Sequence, residues 1–160
     1  MNVGQLMTHN VRACRPEDTL DTAAKIMWDN DCGCVPVLDA HRQIIGMLTD
    51  RDICMAAYTQ GGALRSLRVS SAMSRKVHSC KAEDSLAAAE EFMRTNLIRR
   101  LPVTDAEGHL VGIISLNDLA REAEHERTQA KKEVTGDEVG LTLAAICTPR
   151  LPRAVAAAAA

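Results

Sequence analysis

The sequence predicts an α+β fold made of two copies of one β-α-β-β-α unit, packed together about an approximate twofold axis. Three observations predict it. Residues 3–57 align with residues 69–123 at a constant offset of 66 and without a gap, and self-similarity at a fixed period is the signature of duplicated structure. Within each copy the apolar residues change period, from helical to strand-like and back to helical. Two copies are too few to stack as a solenoid, which leaves face-to-face pairing as the way to bury both.

The identities run the length of the repeat. They include Val3/Val69, Met7/Met73, Cys14/Cys80, Asp18/Asp84, Leu20/Leu86, Ala23/Ala89, Met27/Met93, Pro36/Pro102, Val37/Val103, Gly46/Gly112 and Asp52/Asp118. Each copy opens on a short strand, Val11–Cys14 or Val77–Cys80. A polar start signal follows, Pro16-Glu17-Asp18-Thr19 or Ala82-Glu83-Asp84-Ser85, whose carboxylates suit the positive end of a helix. Leu20, Ala23, Ala24 and Met27 then recur at helical spacing, as do Leu86, Ala89, Phe92 and Met93.

Two hairpins come next. Cys34–Leu38 and Ile44–Leu48 flank Asp39-Ala40-His41-Arg42-Gln43, while Leu101–Thr104 and Leu110–Ile114 flank Asp105-Ala106-Glu107-Gly108; Asp and Gly suit the turns. Pro36 and Pro102 point to an edge or a strand start, because proline cannot donate to a ladder. A second helix begins near Asp50 in one copy and near Leu116 in the other. Residues 1–57 and 69–123 are therefore read as two domains, with 58–68, including Gly61-Gly62, as the linker. The tail, 124–160, is read as prolonging the last helix through Lys132. Thr135-Gly136-Asp137-Glu138 then caps a further short helix carrying Val139, Leu141, Leu143 and Ile146. Residues beyond Pro149 are expected to fray.

Composition narrows the function classes. Apolar residues make up 46% of the 160 and aromatics 2%, namely Trp28, Tyr58 and Phe92. The core is aliphatic, and base stacking on aromatic platforms is nearly excluded. A net charge of −2 gives no general attraction to nucleic acid or anionic membranes. No apolar run approaches the roughly 18 residues of a membrane helix, and the start lacks a signal peptide's regions, so the expected location is the cytoplasm. The six cysteines, Cys14, Cys32, Cys34, Cys54, Cys80 and Cys147, show no zinc-ligand spacing and are expected reduced in that compartment. There is no Walker A loop, GxGxxG, HExxH or GxSxG, so no enzyme is expected.

Two segments carry the binding chemistry: Gly46-Met47-Leu48-Thr49-Asp50-Arg51-Asp52 and Gly112-Ile113-Ile114-Ser115-Leu116-Asn117-Asp118. Each sets a glycine in a strand, a hydroxyl at the strand-to-helix turn and a carboxylate three residues on. Glycine admits a close backbone or ligand. A helix N-terminus offers N–H groups to phosphate, and a carboxylate can take both hydroxyls of a ribose. The same spacing also reads as an [ST]-x-x-[DE] capping box that needs no ligand. Duplication does not separate the two readings, since a cap would be duplicated too.

Over residues 1–123 the chain resembles the CBS domain pair, or Bateman module. The resemblance rests on the Met7-Thr8 and Met73-Ser74 starts, the hydrophobic-Pro-Val strands, the Thr49-Asp50-Arg51-Asp52-Ile53 stretch, and two full matches to the family's pattern of Gly, hydrophobic, any, Thr/Ser, any two, Asp. It implies tandem CBS domains and a regulatory module that binds AMP, ADP, ATP or S-adenosylmethionine between its two repeats and requires no cofactor. By position, Asp52 and Asp118 would hold ribose hydroxyls. Thr49, Ser115 and Arg51 would reach phosphate, with Gly46, Gly112 and Asn117 in the same motifs. Adenine would lie between the start of each repeat, near Arg12–Cys14 or His78–Cys80, and the residues before the strand prolines, Cys34-Val35 and Arg100-Leu101. The copies differ there, with Gly33-Cys34 against Arg99-Arg100 and Asp50-Arg51 against Leu116-Asn117, so the two sites need not be equivalent.

The resemblance further implies a homodimer, through helical faces rich in Ala, Leu and Met, and an effector protein that receives the signal. The competing reading is a redox- or metal-responsive sensor or dimeric scaffold that uses the cysteines.

Overall fold

The computed structural model describes residues 1–149; the expected fraying beyond Pro149 lies outside them. The chain begins with a one-turn helix α1 (Val3–Leu6). The first unit then holds α2 (Leu20–Asp29), β1 (Cys34–Leu38), β2 (Ile44–Thr49) and α3 (Asp50–Gln60). The second holds β3 (Cys80–Lys81), α4 (Leu86–Asn96), β4 (Arg100–Thr104), β5 (Leu110–Ser115) and α5 (Leu116–His125), and α6 (Gly136–Ile146) follows.

The hairpins match element for element. β1 pairs antiparallel with β2, and β4 with β5, in the same register, and both slip by one residue at equivalent places, Val37/Leu38 and Val103/Thr104. The opening strands are shorter than the sequence suggests. The first shrinks to a single parallel bridge, Cys14 to Val37, and the second is β3, parallel to β4. β4 is thus the middle strand of three, which places Pro102 in a central strand instead of at an edge. The strand tolerates it because β3 pairs only with Val103 and Thr104, leaving no partner on that side at Pro102 in need of an N–H.

Helix ends follow local chemistry. Thr49 and Thr135 close capping boxes with Asp52 and Glu138. α3 runs into the expected linker as far as Gln60 and stops on Gly61, whose φ of 67° is left-handed, a conformation glycine adopts without a Cβ penalty. Asp31 and Leu97, equivalent by the repeat, take left-handed φ values of 47° and 54° just past α2 and α4.

α5 does not continue to Lys132. It ends at His125, and the chain turns back because the buried Glu126 carboxylate accepts the N–H groups of Glu133 (2.7 Å) and Val134 (3.1 Å). A buried carboxylate needs such donors, and here they reverse the chain. α6 then lies across α4 and α5, with Thr142 Oγ1 donating to the buried Glu90 carboxylate at 2.9 Å.

The two units exchange their openings. Val3, from the start of the first copy, is fully buried in the core of the second, with Leu86, Leu101, Ile114 and Leu119. Val69, its equivalent, is fully buried in the core of the first, with Leu20, Val37 and Leu48. Backbone bonds repeat the exchange: Val3 N–H donates to Asp84 O and Val69 N–H to Asp18 O, each at 2.9 Å. Thr8 bridges to Ile113 and Ser74 to Met47. This reciprocity is what two copies related by an approximate twofold axis must show. It also explains the strand glycines. A Cβ on Gly46 would come 3.0 Å from Ser74 O, and one on Gly112 3.0 Å from Thr8 O, so both glycines admit the backbone of the other unit.

Candidate functional site

The two capping boxes are both closed. Thr49 N–H and Oγ1 donate to Asp52 Oδ2 at 2.9 and 2.7 Å, and Ser115 N–H and Oγ donate to Asp118 Oδ2 at 2.8 and 2.6 Å. The difference lies in the other carboxylate oxygen. Asp118 Oδ1 accepts from Arg121 Nη2, and the side chain is 6% exposed. Asp52 is only half-buried, and its Oδ1 has no hydrogen-bond partner among the described residues. The repeat places Met55 where the second unit has Arg121. A carboxylate can cap with one oxygen and bind with the other; Asp52 keeps that capacity, and Asp118 has used it.

Asp52 opens into a cleft of about 750 Å³ that both units build. The first supplies Cys34, Met47, Thr49 and Arg51. The second supplies Lys76, His78, Arg99 and Arg100, and the end of α6 closes one side with Ile146, Cys147 and Thr148. Four Arg and Lys side chains against two carboxylates, Asp50 and Asp52, make the cleft electropositive, and its position at the N-terminus of α3 adds to that field. Apolar surface from Met47, Ile98, Pro102 and Ile146 lines the rest.

Of the residues singled out from the sequence, Cys34, Thr49, Arg51, Asp52 and Arg100 meet in this cleft. Cys14 and Val35 are instead core side chains of the first unit, and Cys80 and Leu101 of the second; each could face a ligand only through its backbone. Gly46 and Gly112 contact the other unit, as described above. Ser115 and Asp118 are closed on each other, and neighbouring Leu116 is buried, so the second motif is turned into structure. Sequence reasoning set His78 near the adenine but missed Lys76, Leu97 and the α6 residues as cleft partners, because no local pattern ties them to the Thr49–Asp52 motif. Arg121 against Met55 was the readable signal that the motifs had diverged.

The three buried thiols carry little chemistry. Burial, reinforced by Asp18 and Asp84, pushes Cys14 and Cys80 up to about 12. Burial also raises Cys34, with Arg100 opposing it. Protonated thiols are poor nucleophiles and poor metal ligands. Among the described residues, Asp105, Glu107 and His109 on the β4–β5 turn bring potential metal-ligand atoms within 4.8 Å of one another, and no cysteine is part of that group. No helix among the described residues is long and apolar enough to cross a membrane.

Comparison with known proteins agrees with the fold. The family model of the CBS domain matches residues 3–58 and again 69–125. The chain is 38% identical over 119 residues to the CBS domain-containing protein YhcV of Bacillus subtilis, covering 74% of this chain and 83% of that one. Among solved structures it resembles the CBS domain pair of protein MJ0100 in complex with 5′-methylthioadenosine and S-adenosyl-L-methionine, with a TM-score of 0.69, 21% identity, and coverage of 76% and 94% of the two chains. It also resembles CBSX2 in complex with AMP, with a TM-score of 0.71, 22% identity, and coverage of 79% and 98%.

Proposed function

The chain belongs to the CBS domain family as a tandem pair, and from that premise we propose that it is a non-catalytic sensor that binds one adenosyl nucleotide per chain between its repeats and relays occupancy to an effector protein. The observation that carries this reading is the free Oδ1 of Asp52 inside an electropositive cleft at a helix N-terminus. Asp52 accepts the ribose hydroxyls through that oxygen. Arg51 and the second unit's Lys76, Arg99 and Arg100 take the phosphates, and the base lies on the apolar wall of Met47, Pro102 and Ile146. Support comes also from the two structural neighbours, each solved with an adenosyl ligand.

The charge of the cleft favours AMP, ADP or ATP over S-adenosylmethionine, whose sulfonium is cationic and which brings no phosphate to the arginines. The site around Asp118 stays empty, because Arg121 already holds the oxygen that a ribose would need. Titration calorimetry with these four ligands is the test. The expected result is one equivalent of an adenine nucleotide per chain, bound more weakly in Asp52→Asn and unchanged in Asp118→Asn. Two equivalents, or binding indifferent to Asp52→Asn, would refute the assignment.

A further inference from the structure

One wall of the cleft is a helix that the repeat does not supply. α6 lies beyond residue 123, where the second copy ends, yet its last turn brings Ile146, Cys147 and Thr148 to the cleft beside Leu97 and Ile98. The helix is held unequally along its length. Its start is anchored. Val134 is 1% exposed in the core of the second unit, Glu126 accepts the N–H groups of Glu133 and Val134, and the amino terminus of the chain pairs with Glu133 at 2.6 Å. Past the cap on Thr135 the attachment thins. Thr142 is the buried side chain of α6, and it is polar, donating to Glu90. Val139 and Ile146 are only half-buried, while Leu141 and Leu143 are 61% and 47% exposed. A helix with a fixed start and so little apolar burial beyond it opens locally, from its far end, at a smaller free energy than the whole fold. That far end is the part that lines the cleft.

We propose that α6 is a strap which the bound nucleotide closes: the base packs on Ile146 and holds the far half of α6 in place, and an empty cleft leaves that half free to open about Val134. Occupancy of the cleft is then read out as α6 docked or released. The proposal rests on the nucleotide reading of the cleft and adds the element that answers to it. Its sign follows from what differs between the two states, since a ligand shifts an equilibrium only by its differential affinity. Docked α6 offers the base the apolar surface of Ile146; released α6 withdraws it and leaves that side of the base in water. One effect opposes this. Lys76, Arg99 and Arg100 attract the negative end of the α6 dipole, and phosphate on those cations weakens the attraction. Cys147 and Thr148 at that end are exposed, where salt screens the interaction, so the base contact decides.

Hydrogen exchange of the full-length chain, read by mass spectrometry, tests the strap with and without ligand. In the free chain the amides of residues 142–148 should be protected about tenfold less than those of α5. Equal protection of the two helices would overturn the strap whatever the cleft binds. Saturating AMP should then slow exchange of residues 142–148 by about tenfold, within the usual range of coupling between sites. Ribose 5-phosphate, which brings the sugar and the phosphate without the base, should slow them far less at matched occupancy; equal slowing would overturn the role of Ile146 and with it the proposal. Unchanged exchange in a chain that calorimetry shows to be loaded with AMP overturns the strap and leaves the nucleotide reading standing, whereas no uptake of AMP, ADP or ATP overturns both. Thr142→Val removes the bond to Glu90 without touching the cleft. It should speed exchange of α6 and leave α2 and α5 unchanged, which shows that the variant is folded. AMP should slow α6 in it by the same factor as in the wild type, because the coupling belongs to the contact with the base. Loss of that slowing, with AMP still bound, would overturn the proposal as well.

Discussion

Asp52 and Asp118 occupy the same place in the same motif, cap the same helix through the same oxygen, and differ in what happens to the other oxygen. In the first unit it faces a cleft; in the second it is tied to Arg121. The neighbouring positions diverge in the same direction. Asp50 is exposed and Leu116 buried, and the α4–α5 face is covered by α6 while the α2–α3 face is open. The two copies share the scaffold, and where their residues differ one motif is closed on itself and the other is open. The halves still depend on each other, since the open motif finds its cations, Lys76, Arg99 and Arg100, on the second unit.

The largest expected effect tests that dependence. Leu20 and Leu86 are equivalent and buried, 0% and 2% exposed, so Leu20→Ala and Leu86→Ala should each cost about 2–5 kcal/mol of stability. Because Val3 and Val69 sit in each other's cores, calorimetry should record one shared transition that both variants lower. Two separable transitions would break the picture of exchanged openings. Next in size is the aspartate pair. Asp52→Asn should weaken nucleotide binding by about 1.5–3 kcal/mol, the scale of a hydrogen bond to a charged group, with little change in melting temperature. Asp118→Asn should do the reverse, lowering stability with affinity intact. Equal behaviour of the two variants would erase the distinction between open and closed motif.

A substitution that copies one half onto the other sharpens the comparison. Met55→Arg sets a guanidinium three residues from Asp52, the spacing by which Arg121 reaches Asp118. It should compete with the ribose for Oδ1 and weaken binding by about 1 kcal/mol or less, since the new arginine remains solvated. Equilibrium dialysis against AMP would measure it; undiminished affinity would mean that Oδ1 is not the ribose acceptor.

The sequence made the scaffold legible because each element carried its own local signal. The hairpins had alternating apolar runs and turn residues, α3 and α6 had capping boxes, and the repeat put every element on the page twice. What it hid was long-range. Nothing local in Val3 or Val69 says that each enters the other unit's core, and nothing in Glu126 says that its carboxylate will end a helix by collecting two N–H groups seven and eight residues on. The candidate site suffered most, because half of its lining comes from the other repeat. Arg121 was visible, yet it gains meaning only when the carboxylate it reaches is known to be the one that a ligand would need.

The smallest prediction concerns Glu90, which the first unit replaces with Ala24. Burial raises the Glu90 carboxyl above its ordinary 4.5, Thr142 opposes that shift by its hydrogen bond, Glu138 adds repulsion, and Arg94 offsets part of it. A carboxyl whose pKa is raised on folding binds its proton more tightly in the folded chain. Below the ordinary value both states are protonated, and the group contributes no pH dependence. As pH rises from there to the raised folded value, the unfolded chain loses the proton first, so stability falls; above that window the penalty is full and constant. One proton limits the slope to about 1.4 kcal/mol per pH unit. The wild type should therefore lose melting temperature relative to Glu90→Gln as pH climbs from about 4.5, while the amide keeps an acceptor for Thr142. Thermal scans of both proteins across that range read the difference, in which every other titrating group cancels. A constant difference would mean that α6 is held without regard to the charge beneath it, and the asymmetry between the two helical faces would then be one of shape alone.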